Sequence, residues 1–564
     1  MAIIYGGQKN PCYNPILESL GLSYAMKLTN YDLKQITNAT LEHLAPEQLL
    51  LFSKKILSDL KEAMDRLNQN SNNSSKPPSS TPPWISNSLD KDKQEDEDND
   101  DTDPVDNEDE SIAPTDESSE TESKAQDLPD NEKTDASKKT EPLPAKRTAG
   151  KQPGAEGYGR TQQLSVTETV YHAAVQCALC SILLGAYETQ DAWTAFYSLD
   201  IAERTPEQPG ISITYTKHIF FETECPCGHH NRVEPNVAMP DVNWPKTQIS
   251  EWRLVGPRLA AMIVLLSKRY RNSRRLICEF LLVFLGIELS VGTIDQTIRE
   301  TGRSVEPLEE ELIRELEEAA LAYVDETSWK EAGKLGWLWV FKTLNVVLFM
   351  VGKRDRAIFY KLLLNGRFKG IIMSDGWIVY REYINRLRCW AHLIRKARGL
   401  SESHNDIAAK VGLEMLSLFL IFTDAIYAAR NQPEEPFGTL AKQYAAEILR
   451  LKALCEANQD SEHEKLRAFA RELLNDWDII VRQIYDPLLP LTNNEAERTL
   501  RHWVIDRRLS YGTRTVEGTR SFTLLASVIA TCRIRGAPVW DYLTRVITAA
   551  RKGLELPALP MMQA

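Results

Sequence analysis

Two apolar runs that each lead into an aspartate constrain this chain most: LAYVDETSWK, which holds Asp325, and FKGIIMSDGW, which holds Asp375. Between them, GWLWVFKT and VVLFMVG are separated by a tight polar break at Asn345, a pattern that predicts a hairpin. KRDRAIFYKLL then has helical periodicity, and LRCWAHLIRKARG reads as a strand feeding a helix. The order is strand, strand, strand, helix, strand, with an aspartate ending the first and fourth strands. A lone strand-terminal aspartate is usually a cap or turn residue. Two of them in this order point to a shared purpose.

That order is the one of a ribonuclease-H-like α/β domain. Aspartates at the ends of adjacent strands project into one cleft. There, two Mg²⁺ ions about 4 Å apart can activate a hydroxyl nucleophile and stabilise a leaving oxygen in phosphoryl transfer. Hard Mg²⁺ prefers carboxylate oxygens, and Mn²⁺ accepts the same donors. A third carboxylate is expected from a helix packed on the sheet, and LTNNEAERTLRHWVIDRR, Leu491 to Arg508, supplies two candidates. At about 100° per residue, Ala496, Leu500, Trp503 and Val504 form an apolar stripe. Glu497 lies about 75° from its centre and Glu495 about 125°. Glu495 also fits a capping box with Thr492, so the face argument favours Glu497 as the third carboxylate and leaves Glu495 as a solvent-facing cap. Asn494 and Glu497 share the same spacing, so a capping role for Glu497 stays open.

The net charge of −12 would argue against a nucleic-acid partner were it spread evenly. It is not: Asp90 to Glu141 holds 22 acidic and 6 basic residues, leaving 61 basic against 57 acidic elsewhere. Glu495 to Lys552 has 11 basic and 5 acidic residues, a surface suited to phosphate backbones. Arg498, Arg501, Arg507, Arg508, Arg514 and Arg520 are the candidate DNA contacts.

The 564 residues imply several domains. Residues 1–69 hold a leucine-rich amphipathic helix between Leu41 and Leu67, suited to a short coiled coil or to packing on its own chain. Residues 70–160 read as a disordered acidic linker followed by a basic, glycine-rich arm. Residues 161–245 form a small module in which Cys177 and Cys180, with Cys225 and Cys227, bracket strand-like text and suit a structural zinc. The tight second pair leaves open that His229 or His230 replaces a thiolate, or that no metal binds. The other five of the nine cysteines are scattered singly and read as buried thiols. Residues 246–318 read as a helical DNA-binding region in which LICEFLLVFLG, a turn and VGTIDQTIRE form a helix-turn-helix with Ser290 as cap. The catalytic core spans 319–400 and 490–564 around a helical insertion at 401–489. Run length picks out no membrane-spanning segment, and no secretory signal is read at the start, so a cytoplasmic, nucleoid-associated location is expected.

NSSKPPSS, GKQPGAEGYGR, VDETSWK, SDGW, CWAHLIRKAR and the long stretch from NNEAERTLRHWVIDRRLSYGTRTVEGTR to WDYL resemble the insertion-sequence-66 family of bacterial transposases. The resemblance implies Mg²⁺-dependent cleavage at element ends and strand transfer by a DDE triad of Asp325, Asp375 and Glu497. It also implies terminal inverted repeats and target DNA as partners, a homo-oligomer, and accessory proteins of the same element. Two other readings share these features: an inactive, transposase-derived DNA-binding protein, and a ribonuclease-H-like nuclease. The acidic insert departs from the family pattern. His392, in CWAH, matches a family motif and reads as a helix-packing residue.

Overall fold

A computed structural model describes residues 45–69, 73, 165–185, 190–207, 209–431 and 438–562. The expectations for the extreme N-terminus, the acidic linker and the basic arm lie outside the described residues. The leucine-rich helix forms as α1 (Pro46–Leu67). Its stripe Leu50, Leu57, Leu60 and Leu67 stays exposed; what anchors it is Asp65, which accepts hydrogen bonds from the Ser403 hydroxyl (2.5 Å) and the His404 amide (2.9 Å).

A small mixed sheet follows, from β1 (Glu168–His172), β2 (Gln190–Ile201), β3 (Ile213–Glu224) and β4 (His230–Arg232). β3 is central, antiparallel to β2 and β4 and parallel to β1. Four helices come next: α2 (Pro257–Lys268), α3 (Arg274–Leu285), α4 (Val291–Ser304) and α5 (Leu308–Glu317). Gly286 ends α3 in the left-handed region (φ 64°), and the Ser290 hydroxyl accepts from the Thr293 amide (3.1 Å), so the expected helix-turn-helix forms with its expected cap. The second helix packs one face on the core and leaves Val291, Gly292 and Gln296 exposed. Ile294, Thr297, Ile298, Thr301 and Ser304 are buried, and a side chain at Gly302 would collide with Ser521. One apolar core runs from Leu199 and Trp244 through these helices to the second sheet and on to Leu559, so residues 246–318 are built into the same body as the sheet.

That sheet has five strands, β5 (Leu321–Glu331), β6 (Lys334–Lys342), β7 (Val347–Gly352), β8 (Ile371–Ser374) and β9 (Arg386–Arg388), in the order β7-β6-β5-β8-β9. β6 is antiparallel to both neighbours, while β8 runs parallel to β5 and to β9. The single helix α6 (Arg356–Leu362) crosses from β7 to β8. One expectation needs correction: Asp325 does not end its strand. β5 continues against β6 to Glu331, turning back at Ala332 and Gly333, which both have positive φ. Only its pairing with β8 stops early, at Tyr323 opposite Met373. The strand has two partners of unequal length, and only the shorter one frees an edge at the aspartate.

Trp390 opens α7 (Trp390–Ser401), which leads to α8 (Asp406–Arg430), α9 (Thr439–Gln443), α10 (Ala445–Asn458), α11 (Glu464–Asn475) and α12 (Trp477–Tyr485). These helices share a core of their own from Trp390 to Leu491, so the helical body begins with α7, earlier than residue 401. Its two ends meet, the Trp390 amide donating to the Leu491 carbonyl (2.8 Å). By length and composition α8 is apolar enough to cross a membrane, which the run-length reading passed over. Its Met415, Phe419, Phe422 and Ile426 are buried in that helical core. β9 is fastened to the insertion by charge. Arg386 and Arg388 both reach the fully buried Asp476 (2.6 and 3.1 Å), and Arg388 also pairs with Glu472. The chain then closes the core with α13 (Asn494–Ser510), α14 (Val516–Ile534) and α15 (Val539–Arg551).

Candidate active site

Parallel register places the two aspartates together. Tyr323 pairs with Met373, so Asp325 and Asp375 each stand two residues further along adjacent chains and, by strand alternation, on one side. Each has one oxygen fixed by a nearby amide: Asp325 accepts from Glu326 (2.9 Å) and Asp375 from Trp377 (2.8 Å). A side chain at Gly376 would collide with the Arg388 guanidinium, so only glycine lets the turn after Asp375 lie this close to β9.

α13 brings the third carboxylate. Ala496, Leu500 and Trp503 are buried against Trp329, Leu338, Val340 and Phe349 of the sheet, while Val504, the fourth residue of the expected stripe, is only half-buried. Asn493 pins the start of the helix, donating from its side chain to the Val324 carbonyl (2.8 Å) and from its amide to the Cys389 sulfur (3.2 Å). Glu497 is thereby half-buried, with Oε1 3.9 Å from both His392 Nδ1 and the Arg395 guanidinium. Burial and the charges of Glu326, Asp375 and Glu497 push the Asp325 carboxyl well above the usual carboxylate range. The charges of Asp375 and Glu497 are thus both felt at Asp325.

Glu495 is not a cap. The N-cap is Asn493, whose side chain makes no capping bond, and Glu495 instead pairs with Lys342 on β6. His392 Nδ1 and Glu497 Oε1 are both buried without a hydrogen-bond partner among the described residues, and Cys389, His392 and Glu497 offer ligand atoms within 4.8 Å of one another. Burial and the positive charges of Arg395, Lys396 and Arg388 push the His392 imidazole down to about 3, so it is neutral at ordinary pH.

The stretch that builds this centre is also the one that matches a known family: residues 253–521 match the transposase IS66 family. The chain carries an IS66-family transposase domain. A curated relative, "Uncharacterized protein y4qI" of Sinorhizobium fredii (strain NBRC 101917 / NGR234), is 23% identical over 303 residues, covering 48% of this chain and 54% of the relative. The chain thus spans about half the length of the curated relative it matches.

Within the transposase domain the six candidate arginines divide. Arg498, Arg501, Arg508 and Arg514 are exposed. Arg507 is turned inward onto Thr327 and Ser328 of β5, and Arg520 is held by Glu306 and Glu309. Those two have internal partners that composition could not reveal.

A residue missed from sequence is Glu326. Its side chain is only 2% exposed, it pairs with Arg354 (2.7 Å) and accepts from the Tyr380 hydroxyl, and burial together with Asp375 raises its pKa to about 6. Arg354 lies over the rings of Trp337 (4.7 Å) and Trp377 (4.6 Å). Glu326 thus ties the strand bearing Asp325 to the turn bearing Asp375. The only signal was its place next to Asp325. Glu326→Ala is expected to slow the transposase reaction by about 10- to 100-fold through misplacement of the aspartates. Titrating the divalent cation in the same assay checks this: partial rescue at high metal is expected, and a wild-type rate at low metal would remove Glu326 from the centre.

Outside the matched stretch, the four cysteines of the small module converge. Cys177 and Cys227 sulfurs are 3.8 Å apart, Cys180 and Cys225 3.4 Å, and all four lie within 4.8 Å. A tetrahedral zinc with Zn–S bonds of about 2.3 Å requires sulfurs about 3.8 Å apart. The cluster is compatible with zinc, and neither His229 nor His230 belongs to it.

Proposed function

We propose that this chain is a DNA transposase whose ribonuclease-H-like domain cuts at element ends and joins the freed 3′-hydroxyl to target DNA. The observation that carries this reading is the parallel pairing of β5 with β8, which sets Asp325 beside Asp375, with Glu497 arriving from α13 against the same carboxyl. The strand order β7-β6-β5-β8-β9, with the second strand reversed, supports the fold assignment. So does the membership of residues 253–521.

The donor set fits a hard divalent cation. The charges of Asp375 and Glu497 both bear on Asp325, and the repulsion there is what a bound cation would relieve. Two Mg²⁺ ions, or Mn²⁺, held by Asp325, Asp375 and Glu497 would supply Lewis acidity to the attacking and leaving oxygens. In cleavage, a water oxygen bonds to the scissile phosphorus as the P–O3′ bond breaks. In transfer, the freed 3′-oxygen bonds to a target phosphorus as that strand's P–O3′ bond breaks. The chain's own task is placement: Asn493 fixes α13 on β5, and exposed Arg498, Arg501, Arg508 and Arg514 hold phosphates. Terminal repeats and target DNA are the partners. A homo-oligomer, accessory proteins of the same element and a cytoplasmic, nucleoid-associated setting complete the proposal.

The test incubates the protein with Mg²⁺ and labelled DNA carrying the repeats that flank its gene. Joined products that vanish in Asp325→Ala, Asp375→Ala and Glu497→Ala are expected. Cutting without joining would favour the nuclease, and repeat binding without either would favour a DNA-binding protein that has lost catalysis.

The cysteine cluster is proposed to hold one structural zinc through Cys177, Cys180, Cys225 and Cys227. Metal analysis of the purified protein should find about one zinc per chain, lost in Cys177→Ser/Cys180→Ser together with the fold of residues 165–245. A zinc-free, fully folded preparation would end the proposal.

A further inference from the structure

A cavity of about 490 Å³ opens between the end of α2, the turn into α3, the end of α13 and the start of α14. Five basic side chains line it against two acidic ones. Lys268 is the unusual member. It is the last residue of α2, is 9% exposed, and holds its ammonium 5.1 Å from the centre of the Phe522 ring, which also lines the cavity. No carboxylate lies within ion-pair distance of it among the described residues. Asp295 is taken up by Arg299 (3.0 Å) and Arg274 (3.5 Å), and Asp506 accepts from the Ser510 hydroxyl (3.3 Å). A buried ammonium without a counter-charge is costly, and burial pushes its pKa down to about 7.

Other groups at the cavity share its sign. Arg271 and Arg514 line it, again with no ion pair among the described residues. The N-terminus of the 19-residue α14 opens there, its Thr515 cap accepting from the Gly518 amide (3.0 Å), so its partial positive charge adds to the field. Glu517 in that first turn accepts from the Lys246 amide (2.8 Å) and the Thr247 hydroxyl (2.9 Å) and pairs with Arg299 (3.6 Å), which leaves Lys268, Arg271 and Arg514 as the lining cations without an ion pair among the described residues. Trp329, which also lines the cavity, is four residues beyond Asp325 on β5, about 13 Å at 3.3 Å per residue.

We propose that this cavity is a phosphate-binding site, centred on Lys268, that takes a backbone phosphate of the DNA whose neighbouring segment lies on Asp325 and Asp375. The DNA assignment rests on the transposase reading; the anion site itself does not. Lys268 supplies an ammonium with no carboxylate partner, Arg271 and Arg514 add charge at the same cavity, and the α14 N-terminus adds its partial positive charge.

The test compares the full chain with Lys268→Met, which keeps the apolar stem, and with Arg271→Gln, a turn residue whose loss spares the core. Binding of labelled duplex DNA is measured without divalent metal over a range of salt, and thermal unfolding in inorganic phosphate against chloride of equal ionic strength. Each variant is expected to bind more weakly, with a plot of log K against log salt shallower by about 0.9. Phosphate should raise the melting temperature of the parent and not that of Lys268→Met. Unchanged affinity and slope in both variants would overturn the DNA assignment. A parent that binds no DNA but is stabilised by phosphate only when Lys268 is present would sink the transposase reading and leave the anion site standing. No phosphate effect and no change in slope would overturn both.

Discussion

Glu497→Gln is expected to yield no detectable joined product, a loss of roughly 10⁴-fold or more, with the protein still folded and DNA binding retained. The amide keeps the shape of the carboxylate and removes its charge, so the loss reports a missing cation ligand and no cavity. Glu495→Ala, two residues away, loses a half-exposed pair with Lys342 and costs about 0–1 kcal/mol of stability without loss of joining. Gel analysis of joined DNA, with urea unfolding of both variants in parallel, separates the two. If Glu495→Ala lost joining as completely as Glu497→Gln, the third carboxylate would be misassigned.

The largest effect on stability is expected at Asp476. Its carboxylate is fully buried and answers Arg386 and Arg388, themselves 7% and 1% exposed. Asp476→Ala leaves Arg386 without its carboxylate and Arg388 with Glu472 alone, and should lower stability by about 3 kcal/mol. The loss should reach activity as well, because the Arg388 guanidinium supports the turn at Gly376, next to Asp375. Denaturant unfolding followed by tryptophan fluorescence measures the first, and the joining assay at low temperature the second. A midpoint within error of the parent would show that water can replace the carboxylate.

The elements that carry the three proposed carboxylates were legible because they rest on local rules. Strand periodicity marks Asp325 and Asp375, and the apolar stripe of α13 turns Glu497 toward the sheet. The cap at Ser290 and the approach of the four cysteines follow from spacing in the same way. What escaped depends on partners far away in the chain. Nothing near Glu495 announces Lys342, nothing near Arg520 announces Glu306 and Glu309, and the pairing of Glu326 with Arg354 and Tyr380 exists only once β5, β7 and the turn after β8 are assembled. The helix-turn-helix was found as local structure, but its burial in the common core is a tertiary fact that no short pattern carries.

The contact between Trp390 and Leu491 bears on how the centre forms. Bringing Glu497 to Asp375 requires closing more than a hundred residues of chain, and loop-closure entropy makes such closures slow. A helical body with its own core and with both ends hydrogen-bonded side by side can fold first, so that the remaining closure is only as long as the short segments on either side. Folding order would then run from the insertion to the carboxylates, and shortening or lengthening its outer helices would change the rate at which the enzyme matures far less than cutting the tie at its base.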